Sequence, residues 1–166
     1  MRKVTRFIFH PAVITLLRVA LGAVFIVASL DKIQNPENFA TNIANYRLLP
    51  YQLINLTAIV LPWLEIITGT LLVLGLWIRS AAILTCGMLV LFIFAISQAL
   101  VRDLDISCGC FTTNPDDHRM TRWTLYWDII WLGWGILVVR YHHFQYTLWD
   151  MILKGRWPIR SQTFDP

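Results

Sequence analysis

The chain has 166 residues, 57% of them apolar and only 14% charged, with eight tryptophans and a mean hydropathy of +0.57. That is one domain at most, and its balance is the one lipid solvation demands, which excludes an ordinary soluble fold. The net charge of +4 and pI near 9.2 do not point to nucleic acid, because no binding motif accompanies them. In so apolar a chain, a few excess Lys and Arg set topology or face anionic lipid.

Spanning hydrocarbon takes about 20 mostly apolar residues in a helix. Taken in chain order, the sequence predicts four such spans within a single membrane domain, residues 1–166. The first covers 13–31 and ends at Asp31-Lys32. Because Arg2, Lys3 and Arg6 precede it, the same run could also be the apolar core of a cleaved signal; the expectation is a retained span. The others cover 53–77, 80–101 and 123–140. The predicted class is therefore all-α: a polytopic four-transmembrane-helix bundle.

Between the first two spans, Asn35-Pro36-Glu37 reads as an N-cap, a proline at N1 and an acid in the first turn. Phe39, Ile43 and Tyr46 then recur at helical spacing. These signals predict a short amphipathic helix on the outer surface. Arg2, Lys3, Arg6, Arg79, Arg140, Lys154, Arg156 and Arg160 would lie on one side, against Lys32, Arg47, Arg102, Arg119 and Arg122 on the other. The excess places both termini in the cytoplasm of a bacterial inner membrane and both long loops outside.

Arg18 and Glu65 are charges that should not be inside a bilayer without a partner. Arg18 lies 13 residues below Asp31, and Glu65 lies 12 below Leu53. At 1.5 Å per residue these depths are roughly 20 and 18 Å, so an Arg18–Glu65 ion pair between the first two spans is expected. It would be either a clamp on helix register or, with Pro62 opening the helix one turn away, a proton or substrate site. Asp31, Lys32, Gln98 and Asp128 form a second expected group, an outer polar patch beneath the third loop.

That loop carries Cys108 and Cys110 in the run Ser107-Cys-Gly-Cys-Phe111. In an outer, oxidising compartment the pair can form a disulfide. So small a ring is prone to strain, and strained disulfides are the exchange-prone ones. A redox-active pair and a permanent structural disulfide both remain open. Metal binding would need two further ligands, of which only His118 is at hand, so no metal is assigned. The haem-attachment spacing is absent. Cys86, alone in the third span, reads as a small core residue.

Four pieces now stand in order: Arg18-x3-Gly22-x2-Phe25 with Leu30-Asp31-Lys32; Tyr46-Arg47-Leu48-Leu49-Pro50; Leu61-Pro62-x2-Glu65-x3-Gly69; and Cys108-Gly109-Cys110-Phe111. Together, over about residues 13–140, they resemble the MauE branch of the DoxX-like membrane proteins. The resemblance implies a four-helix bundle that handles disulfides or electrons at the outer face. It also implies a thioredoxin-like partner and a role in maturing a disulfide-rich exported protein, the small subunit of methylamine dehydrogenase in the MauE case.

The leading expectation is a thiol–disulfide redox component in which Cys108 and Cys110 exchange with a thioredoxin-like or other exported protein, which would make the chain a thiol–disulfide oxidoreductase. A quinone is a candidate acceptor near Trp127, Trp131 and Trp134 beside Asp128; no other cofactor is expected. The alternative is a non-catalytic subunit that anchors or assembles a larger membrane complex, with a structural Cys108–Cys110 disulfide. A transporter built on Arg18 and Glu65 is a third reading, and four helices without internal repeats are few for that work. Membrane lipid is a partner in every case; nucleic acid is not.

Overall fold

The computed structural model describes residues 11–102 and 122–141, and every regular element among them is helical. Helix α1 is Pro11–Gln34, α2 Pro36–Asn45, α3 Tyr51–Leu74, α4 Ile78–Val101 and α5 Arg122–Arg140. Helix α1 packs along α3 and α4 along α5, while contacts between α3 and α4 and between α1 and α5 close a ring. The short α2 lies against α3 and α1.

Three of these helices are long and apolar enough to cross a membrane: residues Ala12–Gln34, Tyr51–Leu74 and Ile78–Val101. Helix α5 forms where the fourth span is expected. Its four tryptophans, Asp128 and terminal Arg140 make its 19 residues less apolar than the other three. The side chains are distributed as lipid solvation requires. Leu16 and Leu91 are 68% and 65% exposed, whereas Lys32 and Glu65 are 2% and 1% exposed. In water that arrangement would leave large apolar patches outside and charges inside; in hydrocarbon it is the favourable one.

Helix α3 ends at Leu74, three residues before the expected limit. Gly75 adopts a left-handed φ of 75°, and its N–H and that of Leu76 donate back to the carbonyls of Leu71 and Leu72. This closure is strongly favoured by glycine. Trp77 is also left-handed, at φ 42°, so the chain reverses within three residues and α4 starts at Ile78. Arg79 thus falls in the first turn of α4 rather than between helices.

Close approach elsewhere is set by small residues. A Cβ on Gly22 would lie 2.7 Å from the Gly69 carbonyl oxygen, and one on Gly69 would lie 2.8 Å from that of Gly22. Helices α1 and α3 therefore touch backbone to backbone at this level, as small residues permit in membranes. Gly135 of α5 faces Cys86 of α4, whose Sγ would be 2.6 Å from an added Cβ, so Cys86 has a packing role.

Several buried or half-buried hydroxyls are satisfied within their own helices. Ser29, Thr68 and Ser97 donate to carbonyls three or four residues back in their own helices, at 2.6–2.7 Å. The charged groups are the ones that require partners from another helix.

Candidate functional site

Glu65 does find a cation, but it is Lys32 and not Arg18. Lys32 Nζ donates to Glu65 Oε1 at 2.7 Å and to Oε2 at 2.9 Å, with both side chains 2% exposed. The ammonium also lies 5.1 Å from the centroid of the Phe92 ring and 5.3 Å from that of Phe39. These ring faces supply a second, cation–π attraction to the same group.

The expected Arg18–Glu65 pair fails on register. Gly22 and Gly69 are level in the antiparallel α1/α3 pair. Arg18 is four residues from Gly22 toward one end, and Glu65 is four residues from Gly69 toward the other. That separates them by roughly 12 Å along the axis. Direction matters as well. Side chains on a helix lean toward its N-terminus, so Arg18 and Glu65 lean apart while Lys32 and Glu65 lean together. Arg18 is itself buried at 2% exposure, with its guanidinium packed against Gly75. An Arg18–Glu65 pair at equal depth requires α1 to stop and α3 to start at the same level. Helix α2 intervenes there, and α3 starts farther out than α1 stops.

The expected outer patch is divided. Asp128 joins the pair: it is 5% exposed, and with Lys32 and Glu65 it lines a half-enclosed cavity of about 30 Å³. The rest of the wall is apolar and aromatic, including Phe25, Leu89, Phe92 and Trp131, so all four long helices contribute. Among the described residues, Asp128 Oδ2 is buried with no hydrogen-bond partner. Asp31 instead takes the side-chain amide of Asn35, at 3.2 Å to its carboxylate and 3.3 Å to its carbonyl. Asn35 stands at the N-cap of α2 as expected, but its side chain makes no capping bond. Gln98 is half-buried on α4 and is not part of the cavity wall.

Helix α2 covers this end of the bundle. Phe39 is 3% exposed beneath it, and its last turn leads to Tyr46. Burial, and then the negative charge of Asp128, hold the Tyr46 phenol above its ordinary range. Arg102, just past α4, donates from Nη1 to the Tyr46 carbonyl at 3.2 Å and ties the α4 end to the α2 end.

Of the tryptophans, Trp131 faces the cavity and stands edge-on to Trp134 at 4.8 Å. Trp127 is 41% exposed and pairs edge-on with Trp123 at 5.9 Å, away from the cavity wall. Cys108, Cys110 and His118 lie outside the described residues. By sequence the two cysteines belong to the segment between α4 and α5.

A signal for the Lys32–Glu65 pair is present in the sequence: Gly22 and Gly69 as the contact point, and the lean of side chains toward helix N-termini. The usefulness of those two glycines as a register mark becomes evident only in the packed pair.

The profile of the family described as Methylamine utilisation protein MauE matches residues 10–141, a stretch that includes all of these groups and both loop cysteines. The chain belongs to the MauE family. It is similar to the Methylamine utilization protein MauE of Paracoccus denitrificans, 32% identical over 106 residues, which is 63% of this chain and 57% of that protein. The MauE protein of Methylorubrum extorquens is 36% identical over 103 residues, covering 61% of this chain and 55% of its own length. That of Methylophilus methylotrophus is 32% identical over 101 residues, or 60% and 53%. The matched part thus spans little more than half the length of these MauE relatives. No solved structure matches the chain.

Proposed function

We propose that the chain is a membrane-embedded thiol–disulfide redox component that serves methylamine utilisation by maturing an exported protein, together with a thioredoxin-like partner. The observation that carries this reading is family membership over 10–141, a stretch that takes in Cys108-Gly109-Cys110. In this reading α5 is a fourth span, both termini are cytoplasmic, and the cysteine segment faces the oxidising side.

The chemistry needs only the two cysteines and a partner. The thiolate of one attacks a partner disulfide, forming a mixed disulfide and releasing one partner thiolate. The second cysteine then attacks that mixed disulfide. Both partner sulfurs are left reduced and Cys108–Cys110 is oxidised; the reverse sequence delivers a disulfide to the partner. The buried Lys32–Glu65 pair acts as the clamp that holds α1 and α3 together.

Replacing the resolving cysteine should stall the exchange. One of Cys108→Ser and Cys110→Ser is therefore expected to accumulate a covalent adduct with an exported protein, visible on a non-reducing gel and released by a thiol reductant. If neither variant traps an adduct and both support maturation fully, the redox reading is wrong. An anchoring subunit with a structural disulfide then takes its place.

A further inference from the structure

The Lys32–Glu65 pair is internally neutral, and Asp128 brings a second carboxyl to the same cavity, within electrostatic reach of the Lys32 ammonium but with its Oδ2 unbonded among the described residues. Lys32 shows what the cavity's chemistry accommodates. Its ammonium is held by a carboxylate at 2.7 Å and by a ring face 5.1 Å away. Asp128, Phe25 and Trp131 put a carboxyl group and two aromatic side chains on the wall of the same cavity. A buried carboxylate oxygen left unbonded is costly, and a donor that fills the cavity removes that cost.

We propose that this cavity binds a small primary ammonium ion, anchored on Asp128 and seated against the aromatic wall. Size limits the class. About 30 Å³ admits one or two water-sized groups, which fits methylammonium and excludes a tetraalkylammonium ion. A hard metal cation is a poorer match, since it takes six or more oxygen ligands and Glu65 is already committed to Lys32. Among the described residues no group of three or more metal-binding side chains occurs. An ammonium ion, by contrast, gains from ring faces that offer a metal nothing. The site is independent of the thiol chemistry proposed above, so either can fail without the other.

The test is a titration of the full-length protein in lipid nanodiscs with methylammonium chloride, read as a shift in thermal unfolding, with sodium chloride at equal ionic strength as reference. The expected result is a saturable upward shift that sodium does not produce. Tetramethylammonium should not reproduce it. Asp128→Asn, of nearly the same shape, should weaken the apparent affinity at least about tenfold, the loss of one charge-assisted hydrogen bond. No saturable shift, or an equal shift with sodium or tetramethylammonium, would overturn the proposal and leave water or a proton as the cavity's occupant. An unchanged affinity in Asp128→Asn would overturn it too. If that variant does not fold, the comparison of the three cations on the unaltered protein still decides.

Discussion

Lys32→Met is expected to destabilise the protein by about 3–5 kcal/mol, the usual cost of leaving one partner of a buried ion pair behind. Glu65 is 1% exposed, and its two oxygens both accept from Lys32 at 2.7 and 2.9 Å. Methionine keeps the length of the side chain and its contact with Phe39 and Phe92 but removes the charge. The remaining carboxylate would be stranded in a largely apolar wall. The double change Lys32→Met with Glu65→Leu removes both charges together. It should recover most of the loss, because an apolar replacement of a whole buried pair is often neutral or stabilising. The measurement is a double-mutant cycle on unfolding in detergent micelles. Coupling below about 1 kcal/mol would show that Lys32 and Glu65 do not depend on one another. Arg18→Met supplies the contrast, since its coupling to Glu65→Leu should be near zero across an offset of roughly 12 Å.

Gly22→Val should cost about 1–3 kcal/mol or more, and for a different reason: it forces α1 and α3 apart. The added Cβ alone would meet the Gly69 carbonyl oxygen at 2.7 Å and Val73 Cγ2 at 2.9 Å. A backbone carbonyl cannot turn away without breaking α3, so the helices must separate. In a membrane no hydrophobic gain between helices compensates, because lipid solvates the exposed faces equally well. Gly69→Val should behave alike, since its Cβ would lie 2.8 Å from the Gly22 oxygen. Gly133→Ala and Gly87→Ala are the controls. Neither position has an atom within 4 Å of an added Cβ, so alanine there should be neutral or stabilising by up to about 1 kcal/mol. Thermal unfolding of the four variants decides. Equal losses at Gly22 and Gly133 would contradict the packing described.

The long helices are legible in the sequence because each is a run of apolar residues interrupted by charge. Their ends are less so. Arg79 looks like a stop, yet α3 ends earlier because Gly75 alone takes the left-handed closure comfortably. The short helix after Asn35 is also legible, from its proline and acid.

What sequence spacing does not deliver is register between helices. Counting from expected helix ends puts Arg18 opposite Glu65, whereas the Gly22–Gly69 contact puts Lys32 there. Lys32 reads as part of an outer polar patch because it stands near a helix end. In the folded chain its long side chain leans back into the bundle under α2, so it belongs to the core. Asp128 reads as part of the same patch, and its place beside Glu65 depends on α5 packing onto α1. The loop cysteines are evident from sequence alone, and their chemistry is a matter for experiment.

That experiment is a redox titration of Cys108 and Cys110 in the purified protein, with the thiol state read by alkylation and mass shift. A reversible two-electron transition well above about −300 mV is the result predicted for a pair poised to exchange with a thioredoxin-like partner. A disulfide that resists reduction far below that potential, or thiols that never pair, would contradict it.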